Sequence, residues 1–289
     1  MQESNATSRT RLILLGTGNP NPDPNHQGPS LLILVDDVPY IVDFGAGLVR
    51  LIAALTTDYG GTIDALDVRN LNIAFLTHLH SDHTVGYPDL ILTPWVMGRE
   101  APLEVYGPAG INEMTDHILQ AYETDIHYRM SGTEPGNISG WRVNTHEIRE
   151  GVIYEDGAVK VEAFLVKHGA MPNAYGFRFT TPDKIIVISG DTAPCENIIR
   201  YSRGADILVH EVYYQSAFDM MDRDWQRYHL AHHTSTVELA RIASETKPSL
   251  LVLYHTLFWG GSDAEILAEV ARGYDGEVVV GEDLMVIER

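Results

Sequence analysis

The chain carries a single cysteine, Cys195, in 289 residues. A disulfide within the chain is therefore excluded, which fits a reducing compartment without requiring one. Basic residues are scarce as well: 20 Lys and Arg stand against 40 Asp and Glu, a formal net charge of −20. No run of Lys or Arg occurs anywhere. Such a surface repels a phosphate backbone unless its basic residues are clustered. The charge thus counts against a nucleic-acid partner, a large one above all, and otherwise reads simply as solubility. Nor does any apolar run approach the roughly 20 residues of a membrane-spanning helix, so no membrane partner is expected. Met1–Thr10 is polar and lacks the apolar centre of a signal peptide. A processed chain would look the same. The compartment expected is cytoplasmic, or periplasmic or secreted if a leader has been removed. Residues 1–9 read as a disordered lead-in. Residues 10–289 read as one domain, with 44% hydrophobic residues to build a sizeable core.

What the chain does hold is a concentration of histidine. The stretch Thr77-His78-Leu79-His80-Ser81-Asp82-His83-Thr84-Val85-Gly86 places three His and one Asp within six residues, straight after the apolar run Leu71–Leu76. In extended chain the side chains alternate faces, so His78 and His80 point the same way. The turn that follows can bring Asp82 and His83 to the same mouth. Imidazole nitrogen and carboxylate oxygen suit zinc and its neighbours among the divalent metals. Four donors are more than one ion needs from one loop. Two ions, each completed from elsewhere in the chain, would use them. The bland alternative is a polar surface loop, which a lone His-x-His would usually be.

Around this loop the chain reads as alternating strands and helices. Leu12–Leu15 is a strand ending in Gly16-Thr17-Gly18, and Asn19–Pro29 a loop. No Gly-Lys-Ser/Thr follows, which rules out a P-loop. Leu31–Val35 and Tyr40–Val42 read as paired strands. The second runs into Asp43, placed either to orient a ligand histidine or simply to make a turn. Tyr87–Gly98 reads as a cover for the site, and residues 87–140 as an elaboration near it, with little periodicity over Thr124–Gly140. Val143–Ile148, Val159–Val166, Ile185–Ser189, Ile207–Val209 and Leu250–Tyr254 are strands. Several end at His or Asp: His168, Asp191, His210-Glu211 and His255. Residues at strand ends converge on one edge of an α/β sandwich. Capping boxes at Ser235–Glu238 and Ser262–Glu265 open two late helices.

Together these stations resemble the metallo-β-lactamase superfamily, nearest to its ribonuclease Z and arylsulfatase-like branch. The likeness runs from about Leu12 to the C-terminus. It rests on Leu15-Gly16-Thr17-Gly18, Val42-Asp43-Phe44-Gly45, the His-x-His-x-Asp-His run, Gly176-Phe177-Arg178, Ser189-Gly190-Asp191-Thr192, His210-Glu211 and His233, in that order. The resemblance implies a mixed α/β fold, a four-layer αββα sandwich. It implies two divalent metal ions at one edge, zinc first, with Mn2+ or Fe2+ as alternatives. His78, His80 and His168 would hold one ion and Asp82, His83 and His255 the other, with Asp191 bridging. His146 is the rival for the place of His168. His233 would serve in proton transfer with Glu211 on its other nitrogen, and Asp82 is counted with them as catalytic. His229 and His232 read as exposed polar residues; His26, His117 and His127 have no constellation around them.

The activity implied is hydrolysis. A metal-bound water loses its proton near neutral pH, and the hydroxide, bridging the two ions, would attack a small-molecule ester. A phosphodiester or aryl sulfate ester is favoured, a lactone next. The alternative is ribonuclease Z, a tRNA 3′-processing endonuclease. Two departures weigh against it. Only 22 residues separate His168 from Asp191, too few for that enzyme's tRNA-gripping arm, and Thr256-Leu257-Phe258-Trp259-Gly260-Gly261 follows His255. Tyr87, Trp95, Trp225, Phe258 and Trp259 are candidates to line an aromatic pocket. A non-catalytic metal-binding protein would show a broken ligand set, and none is seen. Members of this branch are often dimers, which leaves a homodimer possible.

Overall fold

Apolar runs in this chain are continuous more often than alternating, as strands covered on both faces require. In the computed structural model, which describes residues 8–134 and 136–288, these runs become β1 (Thr10–Gly16), β2 (Ser30–Val35), β3 (Val38–Val42), β4 (Ile73–Phe75), β5 (Leu103–Gly107) and β6 (Val143–Glu147) in the first half. The second half supplies β7 (Gly151–Glu155), β8 (Lys160–Leu165), β9 (Tyr175–Thr180), β10 (Ile185–Ile188), β11 (Ile207–Tyr213), β12 (Leu250–Leu257), β13 (Val278–Val280) and β14 (Met285–Ile287). They form two seven-stranded sheets, ordered β14-β1-β2-β3-β4-β5-β6 and β13-β12-β11-β10-β9-β8-β7. The last strand crosses back to pair with β1, Ile287 opposite Leu12. Strands β3 to β6 run parallel in one sheet and β10 to β13 in the other. Parallel strands present their C-terminal ends together, and those are the ends that carry the His and Asp residues.

Helices lie between the strands in sequence: α1 (Leu48–Ala54), α2 (Ser81–Thr84), α3 (Tyr87–Val96), α4 (Ile111–Ala121), α5 (Glu123–Ser131), α6 (Glu196–Ser202), α7 (Gln215–Phe218), α8 (Arg223–His232), α9 (Thr236–Thr246) and α10 (Asp263–Val270). Side-chain alternation then sets the layers. Leu12 and Leu14 of β1 face the other sheet, packing with Phe177, Phe179, Val209 and Val252. Ile13 and Leu15 face outward onto Ile52, Leu90 and Trp95. On the far side Val187, Leu208 and Leu251 meet Ile198, Leu239 and Ile266. The order is therefore helix, sheet, sheet, helix, the mixed α/β sandwich expected. Each fully buried Leu or Phe contributes roughly 1.5–3 kcal/mol. The apolar layers thus carry the cost of gathering polar groups at one sheet edge.

Residues 87–140 contribute α3, α4 and α5, and also β5, an interior strand of the first sheet. Tyr87 and Trp95, considered for the pocket, are buried in the outer helical layer instead. Residues 1–7 of the expected lead-in lie outside the described residues. Ser8 and Arg9 are described: the Ser8 hydroxyl and the Arg9 amide donate to Asp183 at 2.9 and 3.0 Å. Among the described residues no helix is long and apolar enough to cross a membrane.

Candidate metal centre

The loop after β4 is shaped by one aspartate. Asp43, just past β3, accepts from the Thr77 amide and hydroxyl at 2.8 and 2.9 Å. Its other oxygen lies 2.8 Å from His83 Nδ1. After Thr77 the chain stays extended to His80, then makes the single turn α2, which brings Asp82 and His83 back over the sheet edge. Thr77 takes a role here that a single sequence does not reveal, since its partner is 34 residues away.

The second sheet supplies the rest. His168 follows β8, and Asp191 follows β10. His255 is the extra residue of a bulge: Glu211 pairs with Tyr254 and Val212 with Thr256, leaving His255 unpaired at φ 47°. A bulge re-aims a side chain, and here it turns His255 to the site.

Two triads result. His78 Nε2 and His168 Nε2 each lie 3.0 Å from His80 Nδ1. Asp82 Oδ2 lies 3.2 Å from His255 Nε2 and 3.5 Å from His83 Nε2. Asp191 stands between them, 3.9 and 4.0 Å from His78 and His168 and 3.5 and 3.6 Å from His83 and His255. The ring tautomers suit metal binding. Nδ1–H of His78 is engaged by Thr77 Oγ1 at 3.0 Å, that of His83 by Asp43, and that of His168 by the His232 carbonyl at 2.9 Å. With Nδ1 engaged, Nε2 of each ring faces the cluster, toward Asp191, and is the nitrogen a metal would take in place of a proton. His83 Nε2 is buried 3.5 Å from a carboxylate oxygen of Asp82 and one of Asp191, with no well-aligned hydrogen bond among the described residues. A cation would satisfy that group, and an all-nitrogen and oxygen donor set fits a divalent one.

Charge follows the same geometry. Burial pushes His78 well down, lowers His80, and takes His168 down to about 4. Burial opposes His83 in the same way, but Asp191, Asp43 and Asp82 outweigh it and hold that imidazole well above its ordinary value. Burial would raise Asp191, yet His255 and His83 keep it well below the usual carboxylate range. Glu211 goes the other way: burial, then the nearby Asp191 charge, push its carboxyl well up.

Beside the triads sits a second pair. His233 Nδ1 is 3.2 Å from Glu211 Oε2, and Glu211 Oε1 accepts from the Thr234 amide at 2.8 Å. His233 groups with His168 and Asp191 within 4.8 Å. Burial pushes it down to about 4.

Other histidines separate cleanly. His146, the rival of His168, stacks on Tyr106 and bonds Glu104 at 2.8 Å, on β5 and β6 and outside the cluster. His117 and His127 are exposed. His229 does not sit in solvent as expected. It is buried between Trp225, at 5.8 Å, and Trp259, at 4.5 Å. The signal was present in the sequence: Trp225, His229 and His233 recur every four residues, one face of a helix and its end. His26, read as bland, stacks on Phe258.

The family description "Beta-lactamase superfamily domain" matches residues 40–256. A protein named Ribonuclease Z from Mycobacterium sp. (strain KMS) is 32% identical over 281 residues, covering 96% of this chain and 95% of that one. Among solved structures, the metallo-β-lactamase fold protein YhfI from Bacillus subtilis matches with a TM-score of 0.71 at 20% identity, over 97% of this chain and 99% of that one. Human tRNase Z, short form, matches at 0.70 and 22% identity, over 96% and 98%. The expectation against a nucleic-acid partner is corrected by these matches, since relatives spanning nearly the whole chain are named as ribonucleases. The physical reason is that a whole-chain charge of −20 says little about the field at one mouth. There divalent cations, if held by the His and Asp donor set, would outweigh its two aspartates. The missing arm excludes nothing either, because a match of 281 residues at 95% of the relative's length leaves that relative no room for a long one. The arylsulfatase-like side of the expected likeness gains no support from these proteins.

Proposed function

This chain belongs to the β-lactamase superfamily and is a metal-dependent hydrolase of the metallo-β-lactamase fold, and from that membership we propose that it is a dinuclear phosphodiesterase of the ribonuclease Z type, acting on RNA. The observation that carries this reading is 32% identity with a ribonuclease Z across nearly the full length of both chains. His78, His80 and His168 would hold one ion, Asp82, His83 and His255 the other, and Asp191 both. When bound, two divalent ions, zinc first, would supply a water acidified to near neutral pH and a Lewis acid for the phosphoryl oxygen.

The chain's own residues do the remainder. Asp43 and Thr77 hold the rings of His83 and His78 in one orientation, so the ligand set is formed before substrate arrives. His233, its Nδ1 beside Glu211 and its ring grouped within 4.8 Å with His168 and Asp191, would pass a proton to a leaving ribose oxygen. A phosphodiester brings negative charge beside His233, which favours the protonated ring that burial disfavours.

The test is cleavage of a precursor tRNA with a 3′ trailer by the zinc-loaded chain, with Asp191→Ala as control and bis(p-nitrophenyl) phosphate in parallel. Trailer removal lost on Asp191→Ala is the expected result. Turnover of the small diester alone would move the reading to a small-molecule phosphodiesterase. Stable metal binding with no turnover on either would favour a non-catalytic metal-binding protein.

A further inference from the structure

Just past His255 the chain forms one wall of a cavity of about 310 Å³, and the loop after β1 forms the other. Phe258 lies stacked on His26, ring centroids 5.6 Å apart and planes at 11°. Trp259 extends the aromatic wall, and Asn19, Asp23 and Thr256 add polar groups. His26 Nδ1 is buried without a hydrogen-bond partner.

This cavity is built firmly. Asp283 Oδ1 accepts from the amide and the hydroxyl of Thr17, both at 2.8 Å, and its Oδ2 from the Gln27 amide at 2.7 Å. Asn19 Nδ2 donates to the Thr256 carbonyl at 2.9 Å, joining the two walls. Gly18 lets the loop close on itself, since a Cβ there would stand 2.7 Å from the carbonyl oxygens of His26 and Gln27. Trp259 sits at φ 45°, uncommon for a bulky residue, and such conformations persist where the surroundings impose them, often at binding sites. None of these hydrogen bonds is made by a side chain of the proposed ligand set.

Lining chemistry selects the ligand. No Lys or Arg lines the cavity and Asp23 does, so a phosphate is disfavoured inside it and a flat, uncharged, aromatic group is favoured. Position selects it further. Thr256 adjoins His255, and Trp259 lies 4.5 Å from His229, itself 5.6 Å from His233. We infer that the cavity is a nucleobase pocket, holding the base of a nucleotide next to the scissile bond while its phosphate lies at the metal cluster. The inference rests on the phosphodiester reading above and names one part of that substrate.

The zinc-loaded full chain is titrated with adenosine 5′-monophosphate and with ribose 5-phosphate, followed by calorimetry. Neither probe is a diester, so binding is read without turnover. The nucleotide is expected to bind about tenfold more tightly, the scale of one base stacked on an aromatic side chain. That advantage is expected to shrink to within twofold in His26→Ala and in Phe258→Leu, which keeps an apolar side chain. Circular dichroism and zinc content check each variant's fold, and if His26→Ala unfolds, Phe258→Leu decides. Equal binding of the two probes by the unmutated chain overturns the pocket, as does an advantage kept by a folded Phe258→Leu. The RNA reading falls separately: base-dependent binding without cleavage of any RNA removes that reading and leaves the pocket standing.

Discussion

His83 Nδ1 lies 2.8 Å from Asp43 Oδ2, and both side chains are buried. One carboxylate thus fixes a proposed ligand ring and, through Thr77, the loop that carries it. Asp43 has φ 63°, which asparagine tolerates, so Asp43→Asn keeps the turn while removing the charge. Zinc affinity is expected to fall about 10–100-fold, measured by competition with a chromogenic chelator, while circular dichroism stays unchanged. Unaltered affinity would leave Asp43 as a turn residue only.

The His233–Glu211 pair gives a prediction that depends on the leaving group. A ribose oxygen leaves poorly without a proton, whereas p-nitrophenolate leaves readily as the anion. His233→Ala is therefore expected to lower kcat on RNA by about 10²–10⁴-fold and to change turnover of bis(p-nitrophenyl) phosphate far less. Zinc content should hold. Equal losses on both substrates would place His233 in metal or phosphate binding and not in proton transfer.

Metal removal tests the cluster as a unit. Asp191 stands within about 4 Å of four histidines, and ions that bind the folded chain alone stabilise it by mass action. Zinc at a thousandfold its Kd adds about 4 kcal/mol. A chelator is expected to lower Tm by several degrees and abolish turnover, both restored by added zinc. A Tm that ignores the chelator would mean that the histidines do not hold an ion.

The candidate site was legible because an apolar run that meets a His or Asp is an unusual pattern, and it recurs at His78, Asp191 and His255. Where polar residues lie inside a strand, reading failed. The strand read as Ile207–Val209 continues to Tyr213, since Glu211 finds its partners in Thr234 and His233 and costs the strand little. The strand read as Leu250–Tyr254 continues to Leu257, with His255 bulged. Helix α3 was hidden by Leu90, Ile91 and Leu92 in succession, which blur a 3.6-residue period. Helix α5 lies where no apolar period exists, with one buried residue, Ile126. Both capping boxes, by contrast, are formed as read, because a cap is a local interaction. Contacts such as Asp43 with His83 are not local and were left open.

His210 predicts a pH effect on stability. It is buried, its Nε2 has no hydrogen-bond partner, and burial pushes it down to about 4. Between its unfolded value near 6.5 and that figure, the unfolded chain takes a proton that the folded chain refuses. Stability therefore falls as pH drops through this window and levels off below it. His210 alone accounts for up to about 3 kcal/mol. Urea midpoints from pH 7 to 4 should fall less steeply in His210→Leu. His229, also pushed to about 4 by burial, keeps part of the slope. A slope identical to the unmutated chain would show that His210 does not titrate there.

Arg99 is buried, has no carboxylate partner among the described residues, and its guanidinium donates instead to four backbone carbonyls, those of Leu71, Leu90, Ile91 and Gly140, at 2.8–3.1 Å. It joins α3 to the segments before β4 and before β6, the strands that flank β5. A planar fork with several donors can serve four acceptors at once, and an ammonium cannot. Burial lowers its proton affinity to about 10, so it stays charged at neutral pH. Arg99→Met fills much of the volume but takes a donor from four buried carbonyls, each costing about 1–3 kcal/mol where it is left unpaired and water cannot reach it. Partial rescue by water brings the expected loss to about 3–5 kcal/mol, read from urea unfolding. Arg99→Lys should fall between the two. A loss under about 1 kcal/mol for Arg99→Met would mean that water replaces the guanidinium, and that the helical layer over the first sheet is held by its apolar contacts alone.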